Sequence, residues 1–141
     1  MGSIQETAAF GLKPIGVIHS PLKSLEDCPL QGNEGAPEVT VEIFPPFIEG
    51  LEGLEPGKEV ILLTWFHRSD RNVIKCYPRN YKELPPVGVF TTRSPERPNP
   101  IGLHRVKITE VGEDGKIKVM PLEALNGTPV IDIKPVIRDD V

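Results

Sequence analysis

Aromatic side chains are scarce in this sequence of 141 residues: five Phe, two Tyr and one Trp, or 6%. Barrels that hold single-stranded nucleic acid by stacking display many aromatics on their surface, so a stacking platform without any cofactor is disfavoured. Cysteine is scarcer still. Cys28 and Cys76 lack metal-ligand spacing, and one disulfide would be a weak scaffold for a chain this size. His19 and His104 stand alone with nothing at ligand spacing beside them, so no metal site is expected. No apolar run approaches the roughly 18 residues of a membrane span. Residues 1 to 12 lack the basic start and apolar stretch of a secretory leader. Met1-Gly2-Ser3 begins like a myristoylation site, but Glu6 stands where Ser or Thr is required. A reduced, cytoplasmic protein is the expectation. Phosphate-binding glycine loops, dinucleotide fingerprints and nucleophile–base–orienter sets are also missing. Any chemistry would then come from positioning a reactive cofactor rather than from side-chain nucleophilic attack.

What the sequence has in quantity is proline and glycine, sixteen and thirteen residues, scattered so that helices have little room. Strand patterns fill the gaps. Val39, Val41 and Ile43 alternate with Thr40 and Glu42. The same period of two runs through Val106 and Ile108, through Ile117 and Val119, and through Ile131 and Ile133. Two runs are continuously apolar, Ile15 to Ile18 and Val60 to Phe66, and read as central strands. Val87 to Thr92 reads as a further short strand. Glu113-Asp114-Gly115 predicts a hairpin turn between residues 103–111 and 116–122, and Asn126-Gly127 a second tight turn. Only Pro46 to Leu54 predicts a short helix, with Pro near its start and Gly57 beyond its end. Residues 21 to 37 form a long polar connection of the kind that carries function. The expected fold is all-β: one small antiparallel β-barrel of about seven short strands, spanning residues 13–141 after a tail of residues 1–12.

The net charge of -4 argues against a broadly basic nucleic-acid binder, but the charge is unevenly spread. Residues 66–107 hold nine basic against three acidic residues, a net of +6, which leaves -10 for the remainder. Such asymmetry fits one positive face turned to an anionic partner, and also fits a solvated charged surface. Within the basic part lies Arg93-Ser94-Pro95-Glu96-Arg97-Pro98-Asn99-Pro100-Ile101-Gly102-Leu103. Its three prolines fix φ at three points and push the preceding residues toward extended geometry, so neither a helix nor a regular internal strand is expected there. A stiff loop loses less entropy when a ligand orders it, and two arginines inside the stiff frame make a polar site of it. Trp65-Phe66-His67-Arg68 ends an apolar strand, which places His67 and Arg68 at a barrel rim. Glu123 is a candidate for holding vicinal hydroxyls, as acidic residues do for ribose. Asp132 and Lys134, two apart on a strand, share a face and can pair.

These elements together resemble the TsaA-like family, also called the TrmO type. The resemblance rests on Ile15-Gly16-Val17-Ile18-His19-Ser20-Pro21, Pro29-Leu30-Gln31-Gly32, Trp65-Phe66-His67 and Gly88-Val89-Phe90. It continues through the proline-rich string from Arg93 to Leu103 and ends with Asn126-Gly127-Thr128-Pro129-Val130-Ile131-Asp132-Ile133-Lys134-Pro135. The order is the family's over roughly residues 13 to 137, and the irregular string after Arg93 is long enough to make a chance match negligible. Members are S-adenosylmethionine-dependent methyltransferases that act on N6 of threonylcarbamoyladenosine at position 37 of tRNA.

The resemblance implies a homodimeric β-barrel unrelated to Rossmann-type methyltransferases, with S-adenosylmethionine near the subunit interface. Residue by residue it implies cofactor contacts from Pro29, Leu30, Gln31, His67, Arg68, Arg93, Leu103, Glu123, Ala124, Leu125 and Asn126. Arg71, Lys75, Arg97 and Asn99 are the candidates for tRNA, with Arg79 and Lys82 as further phosphate contacts. The chain departs from the family in carrying Glu123 where Asp is usual, Ala124 near a usual Gly, and Val136 where Tyr follows Lys-Pro. Bacterial members add a C-terminal domain that helps to bind tRNA, whereas this sequence ends at Val141. Alternatives therefore stay open: methylation of another small acceptor, a non-catalytic S-adenosylmethionine-binding protein, and a small RNA-binding barrel.

Overall fold

Alternating residues build a closed barrel in the computed structural model, which describes residues 9–21, 38–77 and 83–137. Its strands are β1 (Gly16–His19), β2 (Val39–Ile43), β3 (Glu59–Trp65), β6 (Ile101–Val111), β7 (Lys116–Met120) and β8 (Pro129–Pro135). They close in the order β1-β2-β7-β6-β3-β8, every neighbouring pair antiparallel. A short ribbon of β4 (Lys75–Cys76) and β5 (Val87–Gly88) stands apart from the barrel. Six strands rather than seven thus make the barrel, and closure leaves it no free edge.

Ile18, Val39, Val41, Val60, Leu62, Val106, Ile108, Ile117, Val119 and Val130 are the inward residues, each no more than 2% exposed. Val39, Val41, Val106, Ile108, Ile117 and Val119 come from the period-two patterns, whereas on β8 it is Val130 that is buried and the expected Ile131 and Ile133 are only partly so. Burial of the inward set is the main driving force for closure. β3 pairs with β6 from Glu59↔Lys107 to Trp65↔Ile101 and with β8 from Val60↔Pro135 to Thr64↔Val130. The continuous apolar run read over Val60 to Phe66 matches β3, in which Val60, Ile61 and Leu62 are all buried, so both faces are covered at that end of the strand. Gly16 lies where β1 crosses β2: a Cβ there would sit 2.4 Å from the carbonyl oxygen of Glu42. The two tight turns form where expected, with φ of +85° at Gly115 and +86° at Gly127.

Three local expectations are corrected. Val87 to Thr92 is not one strand: β5 stops at Gly88 and a 3-10 turn covers Val89–Thr91. Thr91 Oγ1 donates to the Gly88 carbonyl and Thr92 Oγ1 to the Val89 carbonyl, so local hydroxyl bonds replace ladder bonds. The helix expected over Pro46 to Leu54 is a 3-10 helix over Pro45–Leu51, with prolines at its first two positions. Its Ile48 packs 2.8 Å from where a Gly115 Cβ would stand. Finally, Ile101-Gly102-Leu103 is regular strand, the start of β6, because no proline lies within Ile101–Val111 and β3 supplies the partner. The long connection over 21–37 lies outside the described residues apart from Pro21.

Topology sorts the connections between the two ends of the barrel. β1, β3 and β7 all finish at the end where β2, β6 and β8 begin. The connections over residues 20–38, 66–100 and 121–128 therefore leave from one rim. The 3-10 helix and the 112–115 turn belong to the other. Every described sequence-derived site residue except Leu103 sits in one of these rim connections.

Candidate functional site at the barrel rim

The proline-rich loop is held by its own arginines. Arg97 Nε donates to the Ser94 carbonyl at 2.7 Å, and its Nη2 donates to the Val89 carbonyl at 2.8 Å and to the Thr92 carbonyl. Thr92 Oγ1 also accepts from the Ser94 amide at 3.2 Å. Arg71 Nε donates to the Pro98 carbonyl at 2.9 Å, and its Nη2 to Asn99 Oδ1 at 3.3 Å. The Arg71 guanidinium lies 5.0 Å from the centre of the Trp65 ring, a cation–π contact with the last residue of β3. The Phe66 amide donates to the Pro100 carbonyl at 2.8 Å, so the loop closes back onto β3.

His67 and Arg68 follow in the turn after β3, both exposed. Arg93 lies between two of the residues that Arg97 holds, and is exposed. Among the described residues His67, Arg68 and Arg93 have no hydrogen-bond or ion-pair partner. Lys75 lies exposed on β4. Leu103 faces outward on β6, in register with Leu63 of β3, and is 38% exposed. Pro29, Leu30, Gln31, Arg79 and Lys82 lie outside the described residues.

The third rim connection is anchored to β1. Asn126 Oδ1 accepts from the Ser20 amide at 3.0 Å, the Gly127 amide donates to the Ile18 carbonyl at 2.7 Å, and the Ile18 amide donates to the Thr128 carbonyl at 2.9 Å. Thr128 Oγ1 donates to the Leu125 carbonyl at 2.7 Å. Ala124 and Leu125 are buried and Glu123 is half-buried and partnered. Asp132 and Lys134 pair at 3.2 Å on β8 as their spacing implied.

Sequence reasoning passed over the polar plug inside this rim. Thr64 Oγ1 and His104 Nε2 share a hydrogen bond of 2.9 Å, its donor set by the imidazole tautomer. The Phe66 ring meets His104 edge-on at 5.8 Å. Burial pushes the His104 imidazole down from 6.5 to about 4, so the ring is neutral at physiological pH. Gly102 makes room for the plug, because a Cβ there would stand 2.5 Å from both Phe66 Cζ and Thr64 Oγ1. The signal was present: Gly102 and His104 share the phase of the inward Val106 and Ile108.

A shallow apolar cleft of about 520 Å³ lies against the 3-10 helix, lined by residues such as Ile15, Phe47, Leu51, Leu54 and Ile133. Asp132 is its one charged lining residue, against the several cationic groups of the rim.

A closed antiparallel barrel whose rim presents cationic side chains beside a stiffened loop defines a small ligand-binding β-barrel. More particularly, the chain belongs to the tRNA-methyltransferase O N-terminal domain family, whose model matches residues 17–140. It is 42% identical over 128 residues to a probable S-adenosyl-L-methionine-binding protein of Methanothermobacter thermautotrophicus, covering 91% of this chain and 90% of that one. It is 46% identical over 123 residues to an S-adenosyl-L-methionine-binding protein of Archaeoglobus fulgidus, covering 87% and 86%. The crystal structure of TrmO from Pseudomonas aeruginosa superposes with a TM-score of 0.72 at 35% identity, over 95% of this chain and 60% of that one. The chain thus spans about three-fifths of the length of that solved structure.

Proposed function

We propose that this protein binds S-adenosylmethionine at the barrel rim and transfers its methyl group to N6 of threonylcarbamoyladenosine at position 37 of tRNA. The observation that carries the reading is topological. Connections far apart in sequence, carrying His67, Arg68, Arg93 and Glu123 to Asn126, leave from one end of the barrel. The donor set suits the cofactor. Unpartnered guanidinium groups hold a methionine carboxylate, a half-buried carboxylate at Glu123 accepts from ribose hydroxyls, and Leu103 beside Leu63 offers an apolar wall for adenine. A sulfonium methyl group is activated without a metal, so the protein's part is to hold the acceptor nitrogen in line and exclude water.

tRNA would meet the same rim through Lys75 and the neighbouring basic segment, whose charge of opposite sign to the rest of the chain orients an anionic partner. We read residues 13–141 as one barrel domain acting in the cytoplasm as a homodimer. The 44% exposed Ile101 and 38% exposed Leu103 on the outer face of β6 support a second copy covering that face. No helix among the described residues is long and apolar enough to cross a membrane.

A second reading, non-catalytic S-adenosylmethionine binding, is favoured by the two archaeal relatives, which match over nearly their whole length and are named for binding alone. Incubation with methyl-labelled S-adenosylmethionine and threonylcarbamoylated tRNA separates the two. Label in the tRNA is the expected result. Cofactor heat by calorimetry without label transfer favours the binder, and no heat with no thermal stabilisation sinks both.

A further inference from the structure

We propose that Arg97 and Arg71 are positioning residues: they clamp the 89–100 loop so that Arg93 is presented to the ligand, and neither is a phosphate contact. The inference rests on the rim being the S-adenosylmethionine site and assigns a division of labour within it.

Geometry separates the four described arginines of residues 66–100 into two kinds. Arg97 spends Nε and Nη2 on the carbonyls of Ser94, Val89 and Thr92, three residues spread along the loop. A planar guanidinium can reach several carbonyls at once, whereas an ammonium is a single donor point. Arg97 is also half-buried, which takes it away from a passing phosphate. Arg71 is committed in the same way, to the Pro98 carbonyl and Asn99 Oδ1 with its face on Trp65. Trp65 is the last residue of β3 and pairs with Ile101 of β6, so this clamp ties the loop to the barrel wall.

Arg68 and Arg93, in contrast, are exposed and have no partner among the described residues. Arg93 stands between Thr92 and Ser94, both held by Arg97. Its backbone is therefore fixed on both sides while its side chain is free. A ligand anion meets a cation whose anchor is ordered in advance, and less binding energy is lost in ordering it. The prolines alone cannot do this. They restrict φ at positions 95, 98 and 100, but leave the turn at Thr92 to be set by hydrogen bonds.

The discriminating variant is Arg97→Lys, which keeps the charge and removes the fork. Three quantities are read: S-adenosylmethionine affinity by calorimetry, amide hydrogen exchange over residues 88–97, and the salt dependence of tRNA binding. The expected result is at least a tenfold loss of cofactor affinity, faster exchange at Thr92 and Ser94, and an unchanged salt slope. Cofactor affinity within twofold of wild type overturns the proposal, whatever the exchange shows. A second comparison uses Arg97→Ala. A drop of about one in the salt slope, with exchange as in wild type, identifies Arg97 as a phosphate contact and also overturns it. Arg93→Ala is the control, expected to lose cofactor affinity with loop exchange unchanged. If Arg97→Lys does not fold, Thr92→Val carries the same test, since it removes the hydroxyl that bonds Val89 and Ser94. Wild-type affinity in that variant overturns the clamp. Absence of cofactor binding by the wild-type protein is a different outcome, which sinks the cofactor reading itself.

Discussion

Acidification should destabilise this protein through His104 before its carboxylates are protonated in bulk. Burial against Thr64 and Phe66 holds the imidazole at about 4, while in the unfolded chain it titrates near the ordinary 6.5. Above pH 6.5 both states are neutral and the group contributes no pH dependence. Between about 6.5 and 4 the unfolded chain takes up a proton that the native state refuses, so stability falls as pH falls through this window. One pH unit is worth about 1.4 kcal/mol per proton, so the full difference costs about 3 kcal/mol. That is a large share of the roughly 5–15 kcal/mol that stabilises an ordinary domain. Urea denaturation at intervals from pH 7.5 to 4.5 measures the wild-type slope. His104→Gln keeps a hydrogen-bonding group beside Thr64 but cannot titrate, and its stability should fall less over the same range. The reasoning is refuted if the two proteins lose stability in parallel, or if the His104 imidazole is seen by NMR to titrate near 6.5 in the folded state.

Leu62→Ala, at a fully buried position in the middle of β3, should cost about 2–5 kcal/mol in chemical denaturation, because the barrel cannot collapse to fill the space. Gly16→Ala forces a Cβ to within 2.4 Å of the Glu42 carbonyl oxygen, a backbone atom that cannot swing away; it should lower stability by about 1–3 kcal/mol or more. An unchanged melting temperature would show that β1 and β2 can shift apart. Arg93→Ala should leave the melting temperature without cofactor within a degree or two of wild type, since the side chain is exposed and makes no hydrogen bond or ion pair among the described residues, and calorimetry should show weakened S-adenosylmethionine binding. Unchanged binding would remove Arg93 from the site.

Legibility followed the period of the strands. Val39 to Ile43 and Lys116 to Met120 were readable because every second residue is apolar and the barrel buries one face, and Val60 to Trp65 because its apolar run is short and continuous. The segment from Val87 to Thr92 was misread, because its composition suits a strand and only the bonds of Thr91 and Thr92 to carbonyls three residues back show that it turns. His104 could have been placed inside by extending the phase of Val106 and Ile108 two residues toward the N-terminus. What it meets there, Thr64 and Phe66 on β3, depends on a register that no local pattern encodes.

The arginines mark the boundary most sharply. By itself the sequence determined that residues 93–100 are stiff, polar and basic, and that a barrel of short strands carries them, because proline geometry and side-chain period are local properties. With the family resemblance beside it, the same segment offered Arg93 for the cofactor and Arg71, Arg97 and Asn99 for tRNA. Tertiary structure brings Val89, Ser94 and Thr92 within reach of Arg97, and Trp65, Pro98 and Asn99 within reach of Arg71, and these contacts are the ground for proposing that the two arginines hold the loop. Which cation is consumed by the fold and which remains for a ligand depends on which carbonyls lie nearby in space, and chain closure sets that.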